Sequence, residues 1–391
     1  MRILMLDPGN YTPYYDANLC RALVGLGHQV TLDSSHYLFE SVEPIPGVEQ
    51  RYPFYGIFDS ALGRRLPVLR ERPWLRRSIK ALVYPPEMLH WAWSLDVERY
   101  DVLHVQWALV PLLDSLLLAW LRQRGLRGIY TAHDLPPADA GLWERLGYRR
   151  LYHSVDHIVV HAQVLRQQLA ARFGIPSERI SVLPMGNLGA FRGKPMSKQQ
   201  ARTQLGVPPD APLLLFFGLI KPYKGLRYLL EALPDVYRRF PDVRLLIAGE
   251  PIQDFRSYRR LIVRHELEEA VIAWPRYVPS EQVAVVFSAA DVVVLPYVNI
   301  SLSAVLLTAY TYGRPVIATA VGGLPEAVED GRSGLIVPPQ RPDALAEAIC
   351  TLLEDRERLE AMGAYARRLA EERHAWPAIA RRMVQLYKES P

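Results

Sequence analysis

Cysteine is scarce in this chain: 391 residues include two, Cys20 and Cys350. They stand far apart in helix-like surroundings, without metal-ligand spacing. That excludes a disulfide framework or a zinc site and points to buried, reduced thiols in a cytoplasmic protein. Long hydrophobic runs are also missing. The apolar N-terminal stretch is interrupted by Asp7, too soon for a secretory signal. The longest other run, Leu109–Leu121, is broken by Pro111 and Asp114, so no membrane-spanning helix is expected. No Asp-x-Asp pair occurs, so neither a divalent ion nor any other cofactor is implied. Charge is nearly balanced, with 46 Lys and Arg against 41 Asp and Glu, net +5 and a pI near 9.1. That excess is too modest to favour nucleic acid as a partner.

What is present is a core-forming composition: half of the residues are hydrophobic and the mean hydropathy is −0.02. A chain this long is expected to form two domains. Arg2–Leu6 reads as a buried parallel strand, followed by a loop, Asp7–Asp16. A helix Ala17–Leu26 ends at Gly27, and Gln29–Asp33 is the next strand. This β-loop-α-β opening starts a doubly wound sheet. Asp101–Gln106, Gly128–Thr131, His157–His161 and Ile180–Leu183 add strands. Helices are expected at Leu112–Arg124, Leu142–His153 and Ala162–Arg172. Glycine and proline then break the pattern between Met185 and Pro212, with a short helix at Lys198–Leu205. A second β/α series begins at Leu213–Phe217 and includes strand Val292–Leu295, helix Ala304–Tyr312 and strand Pro315–Ala318. The expected organisation is a Rossmann-like domain over 1–190, a linker over 191–212 and a second Rossmann-like domain over 213–375.

One segment is strongly basic. Arg64, Arg65, Arg70, Arg72, Arg76, Arg77 and Lys80 face a single acid, Glu71, with Trp74, Leu75 and Ile79 interleaved and Trp91 and Trp93 following. Such a segment suits an anionic membrane surface. It equally suits a solvated face whose arginine stems cover the core.

Ligands of open α/β sheets bind beyond the carboxyl ends of the strands, so the loops there hold the candidate chemistry. After strand Leu213–Phe217 comes Gly218-Leu219-Ile220-Lys221-Pro222-Tyr223-Lys224-Gly225. Two lysines beside glycines can clamp the charge that develops on a departing pyrophosphate; a solvated turn is the plainer reading. After strand Val292–Leu295, Ser301 and Ser303 are suited to cap the next helix, whose free N–H groups would form an anion site. After Pro315–Ala318, the pair Gly322-Gly323 offers a second close backbone approach, although two ordinary βα turns would look the same.

In combination these residues resemble the donor domain of family 4 glycosyltransferases. The resemblance rests on Arg314-Pro-Val-Ile-Ala-Thr, Gly322-Gly-Leu-Pro-Glu326 and Glu329-Asp-Gly-Arg-Ser-Gly-Leu-Ile-Val337. Leu215-Phe-Phe-Gly218 through Lys224-Gly225, Leu245-Leu-Ile-Ala-Gly249 and Asp291-Val-Val-Val-Leu-Pro-Tyr297 agree with it. In the first half, Gly27-His28-Gln-Val30, Tyr130-Thr-Ala-His-Asp134 and Leu183-Pro-Met-Gly-Asn187 are similar in order. The resemblance implies the α/β GT-B fold: two Rossmann-like domains facing across a cleft, with a C-terminal helix, 376–391, crossing back to the first. It implies His133, Lys221 and Lys224 as catalytic residues. Gly9, Gly218, Ser301, Ser303, Ala304, Val305, Thr308, Gly322, Gly323 and Glu326 would contact the donor, and Asn10, Tyr11 and Asp16 the acceptor.

The family's Glu-x7-Glu pair is replaced here by Ile300 and Thr308, and its arginine after the first glycine by Leu219. Thr308 can offer a ribose one hydrogen bond; Lys221 can supply the arginine's charge. Ser303-Ala304-Val305 resembles a branch of the family with a Ser-Gly-Val helix start. The expected activity is retaining hexosyl transfer from a UDP-, GDP- or ADP-sugar to a saccharide or lipid-linked acceptor. With no carboxylate nucleophile to be placed, the leaving phosphate itself would take the acceptor proton. The expected location is cytoplasmic, and peripheral at the inner membrane face where Arg64–Lys80 lies on lipid. A non-catalytic sugar-nucleotide binder and a sugar phosphorylase are the alternatives.

Overall fold

The computed structural model describes residues 1–37, 43–59, 73–137, 140–187 and 196–389. The chain divides into two compact units. One is Met1–Pro184 together with Trp376–Pro391, the other Met185–Ala375.

The first unit contains β1 (Arg2–Asp7), α1 (Pro13–Gly25), β2 (Gln29–Ser34), β3 (Val48–Arg51), α2 (Gly56–Asp59) and α3 (Pro73–Ser94). It continues with β4 (Val102–Val105), α4 (Pro111–Gln123), β5 (Arg127–Thr131), α5 (Leu142–Ser154), β6 (His157–Val160), α6 (Gln163–Phe173) and β7 (Ile180–Val182). All seven strands are parallel, in the order β3-β2-β1-β4-β5-β6-β7. Strand order reverses between β1 and β4, which places the loops after those two strands at the switch point.

α1 starts four residues earlier than the sequence pattern indicates, because Pro13 supplies a preset φ at its first turn. Asp16 therefore lies inside a helix and not at the end of a loop. α3 carries Pro85 and Pro86 within it, which hides its periodicity from a sequence reading. Of the basic segment, Arg64, Arg65, Arg70 and Arg72 lie outside the described residues. Lys80 places its ammonium 4.4 Å from the Tyr55 ring centroid.

The second unit contains α7 (Lys198–Leu205), β8 (Leu213–Phe217), α8 (Leu226–Arg239), β9 (Arg244–Ala248), α9 (Arg256–Arg264), β10 (Val271–Trp274) and α10 (Ser280–Ala289). β11 (Val292–Leu295), α11 (Ala304–Thr311), β12 (Val316–Thr319), α12 (Leu324–Ala327), β13 (Gly334–Val337), α13 (Pro342–Glu354) and α14 (Arg356–Glu372) complete it. Its six parallel strands run β10-β9-β8-β11-β12-β13, with the switch between β8 and β11. Both sheet faces are buried, as parallel sheets require. Leu213, Leu215 and Phe217 join one core, while Leu214 and Phe216 join the core on the opposite face.

The described part of the expected linker is not a linker. α7 begins in a capping box between Ser197 and Gln200 and packs on α10. Its Arg202 reaches Asp291 at 2.7 Å and the carbonyl of Ala289 at 3.1 Å, which fixes the segment to the second unit. Gly189, Gly193 and Pro195 lie outside the described residues.

The last helix, α15 (Trp376–Glu389), returns to the first unit and packs on α1. Trp376 meets Tyr15 edge-on with centroids 5.0 Å apart, and the Tyr387 hydroxyl lies 2.7 Å from His104 Nδ1. Cys20 and Cys350 are both free and buried.

Candidate active site

In the second unit three loops meet at the carboxyl ends of β8, β11 and β12. Val298 N–H donates to the Tyr223 carbonyl (2.7 Å), tying the β11 loop to the lysine-bearing β8 loop. Gly323 N–H donates to the Ser301 carbonyl (2.9 Å), tying it to the β12 loop. The Thr319 hydroxyl donates to the Tyr297 carbonyl at 2.6 Å. Gly322, at φ +54°, passes so close that a β-carbon would lie 1.6 Å from the Ile300 carbonyl oxygen. Only glycine permits both that contact and that φ.

Lys224 and Lys221 are the charged groups of this cluster. Lys224 Nζ lies 5.4 Å from the Tyr297 ring centroid and Lys221 Nζ 5.6 Å from that of Tyr223. Among the described residues neither lysine is ion-paired. Burial, reinforced by the charge of Lys221, lowers the Lys224 pKa to about 8. The ammonium is therefore still charged at neutral pH, and it has no counter-ion among the described residues.

α11 starts beside them. Ser303 caps it, its hydroxyl accepting from Leu306 N–H at 3.4 Å and lying 3.3 Å from the Tyr297 hydroxyl. The other N–H groups of the first turn, at Ala304 and Val305, have no partner within the helix. Ala304 is half-buried and Val305 buried. Glu326 is half-buried on α12, one turn after Gly322 and Gly323.

Thr308 corrects the sequence expectation. It is fully buried, and its hydroxyl donates to the Ala304 carbonyl one turn back (2.8 Å). The hydroxyl belongs to the bonding of the helix and is not presented to a ribose. Ile300 packs against the apolar core.

In the first unit, His133 follows β5 and is 9% exposed. Its Nε2 lies 2.8 Å from Gln106 Oε1, and its Nδ1 lies 3.3 Å from His161 Nε2. Trp107 stacks on the ring at 5.1 Å, and Tyr15 meets it edge-on at 4.7 Å. Burial, together with His161 and His104, pushes the His133 pKa well below the usual histidine range, so the ring is neutral. Burial likewise lowers His161 to about 4 and His104 to about 3.

The β1 loop supplies Gly9, Asn10 and Tyr11. Asn10, at φ +48°, donates its side-chain N–H to the Ser35 carbonyl (2.6 Å). Tyr11 is exposed and meets Trp107 edge-on at 5.5 Å, while Trp107 Nε1–H donates to Thr12 (3.0 Å). Tyr11 thus stands one ring away from His133. Gly9 lies under Tyr11: a β-carbon there would come within 2.7 Å of its ring.

Asp16 departs from its expected role at the acceptor. It is 1% exposed and faces the buried carboxyl of Asp7. Among the described residues no N–H or O–H donor of another side chain or the backbone reaches its oxygens. Burial raises both pKa values; the charge of Asp7 raises that of Asp16 further, while a hydrogen bond from Asp16 offsets part of the rise at Asp7, so the two carboxyls share a proton. A buried pair of this kind cannot greet an acceptor.

Gln106, Trp107, His104 and His161 were not singled out by sequence. The signal for the first two was their position directly after β4, at the switch point with β1. Among the described residues no group of three His, Cys, Asp or Glu could hold a metal ion.

Two parallel sheets in these strand orders, with a C-terminal helix returning to the first unit, define the GT-B class. The fold matches sucrose-phosphate synthase from Thermosynechococcus elongatus with a TM-score of 0.76 at 23% identity, covering 100% of this chain and 98% of that one. It matches Anabaena HepE in complex with UDP and glucose with a TM-score of 0.73 at 19% identity, covering 99% of each chain. Residues 15–186 match the family described as Glycosyltransferase Family 4, and residues 211–355 match Glycosyl transferases group 1. The D-inositol 3-phosphate glycosyltransferase of Segniliparus rotundus is 32% identical over an alignment of 368 positions that covers 89% of this chain and 77% of that protein. Its namesake from Thermobispora bispora is 30% identical over 399 residues, covering 96% and 89%. The chain belongs to glycosyltransferase family 4 and is a glycosyltransferase.

Proposed function

We propose that this enzyme moves a hexose from a nucleotide-diphosphate sugar to an acceptor hydroxyl with retention of configuration. The observation that carries the reading is the pair of lysines, without counter-ions among the described residues, at the β8–β11 switch point beside the capped start of α11. A diphosphate would supply the missing negative charge. As the bond from the anomeric carbon to the phosphate oxygen breaks, charge grows on that oxygen. Lys224, Lys221 and the first N–H groups of α11 stabilise it where it forms. The acceptor oxygen bonds to the anomeric carbon on the same face, and its proton passes to the departing phosphate oxygen. His133 contacts a hydroxyl of the reacting sugar.

The family relatives are named for D-inositol 3-phosphate, and HepE has been seen with UDP and with UDP-glucose. These make a phosphorylated cyclitol and UDP-glucose the first acceptor and donor to test. A panel of UDP-, GDP- and ADP-sugars in thermal unfolding identifies the donor, because a ligand of the native state raises the midpoint by mass action. One base is expected to give a clear rise; no rise with any of them contradicts the reading.

A second feature supports a membrane-bound acceptor. Leu82 and Trp93 of α3 and Trp143 of α5 are 77%, 82% and 77% exposed. Trp93 stacks near Trp120 of α4 (6.4 Å), over which Arg124 lies at 4.8 Å. Exposed aromatics interleaved with arginine suit an anionic lipid surface. Among the described residues no helix is long and apolar enough to cross a membrane.

A further inference from the structure

The second unit has another concave surface, at the opposite edge of its sheet from the donor loops. Pro212, Asp291 and Pro315 stand at the amino ends of β8, β11 and β12 and line a cavity of about 710 Å³. That volume falls within the roughly 300–1,000 Å³ usual for small-molecule sites. The four residues of β11, at about 3.3 Å each, put ~13 Å of sheet between this cavity and the donor loops. Its walls come from α7, α13, α14 and the ends of α8 and α11, all within the second unit.

Five cationic side chains line the cavity: Lys198, Arg202, Arg314, Arg356 and Arg367. Three acids, Asp210, Asp291 and Glu360, oppose them. Asp291 is 7% exposed and already engaged. It accepts from Leu213 N–H and from Arg202, both at 2.7 Å, and from the Lys198 ammonium. Glu360 bonds Arg356 Nε at 3.2 Å, and Arg367 Nε reaches Glu371, outside the cavity, at 3.1 Å. Both of these pairs are exposed, so neither neutralises its arginine strongly.

Arg314 is the cation left short. It is half-buried, and among the described residues it forms no ion pair. Its Nε donates to the Phe287 carbonyl at 3.0 Å and its Nη2 to the Ser288 carbonyl at 2.8 Å. Its Nη1 has no hydrogen-bond partner among the described residues. Burial lowers the Arg314 pKa, because the hydration lost there has not been replaced by countercharge. A guanidinium does not shed its proton at any working pH, so an anion is the remaining remedy.

Two glycines bring the arginines together. A β-carbon on Gly363 of α14 would lie 2.4 Å from the Gly313 carbonyl oxygen, and one on Gly313 3.8 Å from the Arg367 β-carbon. The end of α11 therefore touches α14, and Arg314, next in the chain, stands beside Arg367. Arg356 lies about three turns earlier on the same face of α14, ~16 Å along it, with Leu359 in between. Phe240 and Leu352 add further apolar wall.

We propose that this cavity is a second ligand site that takes a small phosphate ester, with its phosphate on Arg314 and Arg367 and its organic body against Leu359, Leu352 and Phe240. Five positive groups against three negative ones leave an excess that a phosphate monoester, at about −1.5 to −2, balances. Inorganic phosphate has no use for the apolar wall. A lipid surface would meet the exposed Arg356 and Arg367 but not the half-buried Arg314. Sugar phosphates and nucleoside monophosphates share the required chemistry.

Calorimetric titration of the enzyme with glucose 6-phosphate, AMP and inorganic phosphate tests the site. At least one of the two esters should bind wild type and Lys224→Ala alike, one per chain, and the preference between them identifies the body as sugar or nucleoside. Arg314→Gln should weaken that binding at least roughly 10-fold, the loss of one hydrogen bond to a charged group. Arg356→Glu combined with Arg367→Glu changes only exposed side-chain heads and should weaken it as much or more with native circular dichroism. If Arg314→Gln does not fold, the double variant decides. Inorganic phosphate should bind more weakly than the preferred ester. The proposal is overturned if neither ester binds, or if binding survives in the arginine variants. It is equally overturned if binding is lost in Lys224→Ala, or if inorganic phosphate binds as tightly as the ester.

Discussion

The Lys224 ammonium lies 3.0 Å from the position that a β-carbon on Gly218 would take. Gly218 holds φ +99°, and the same position is 3.5 Å from the Val305 side chain at the start of α11. The charge, the helix start and a bare stretch of backbone therefore converge on one spot. Gly218→Ala should strain the turn by about 1–2 kcal/mol and displace the ammonium. Turnover is expected to fall at least roughly 10-fold, the effect of moving one preorganised charge, while circular dichroism stays native. Unchanged turnover would show that the position of Lys224 does not matter.

Thr308 is spent within α11. Its hydroxyl is used inside the helix, so Thr308→Val, which keeps the shape, should alter turnover and donor KM by no more than about 2-fold. A rise of 10-fold or more in donor KM would restore Thr308 as a ribose contact.

The Asp7–Asp16 pair gives a pH-dependent prediction. Burial holds both folded-state pKa values above the ordinary aspartate range. The native pair retains a proton that the unfolded chain releases, so stability is lost as pH rises from about 4 toward the raised values. Asp16→Asn removes that liability. Thermal unfolding should show a smaller loss between pH 5 and pH 8 in Asp16→Asn than in wild type. Each kcal/mol corresponds to about 2–4 °C for a unit of this size. Equal losses in both proteins would mean that the carboxyls are not sharing a proton.

The exposed aromatics of α3 and α5 predict lipid binding. Co-sedimentation with vesicles containing phosphatidylserine should exceed that with neutral phosphatidylcholine, and Trp93→Ala with Trp143→Ala should abolish most of it. Indifference to anionic lipid, or to these two substitutions, would leave the patch without its proposed partner.

Much of this fold could be read from apolar runs. β8 and β11 are buried on both faces, so Leu213–Phe217 and Val292–Leu295 stand out as continuous hydrophobic stretches. β3 was missed because Val48–Arg51 carries a single apolar residue at the sheet edge. α3 was missed because Pro85 and Pro86 sit within it. At the site, the lysines and glycines were legible because their spacing follows a strand end. The histidine chain was not, since His104 in β4, His133 just after β5 and His161 just after β6 are far apart in sequence and meet only through the pairing of those strands. Asp16 and Thr308 looked available because sequence carries polarity but not burial.

The central claim is that the donor site binds phosphate through lysine and backbone N–H groups, without the carboxylate pair common in the family. Calorimetric titration with the diphosphate and the nucleoside of the donor base tests it most directly, in wild type and Lys224→Ala. The diphosphate is expected to bind wild type far more tightly than the nucleoside does. Lys224→Ala should lose about 100-fold in turnover and much of the preference for the diphosphate. Equal affinity for nucleoside and diphosphate, or a Lys224→Ala variant that binds and turns over like wild type, would contradict it.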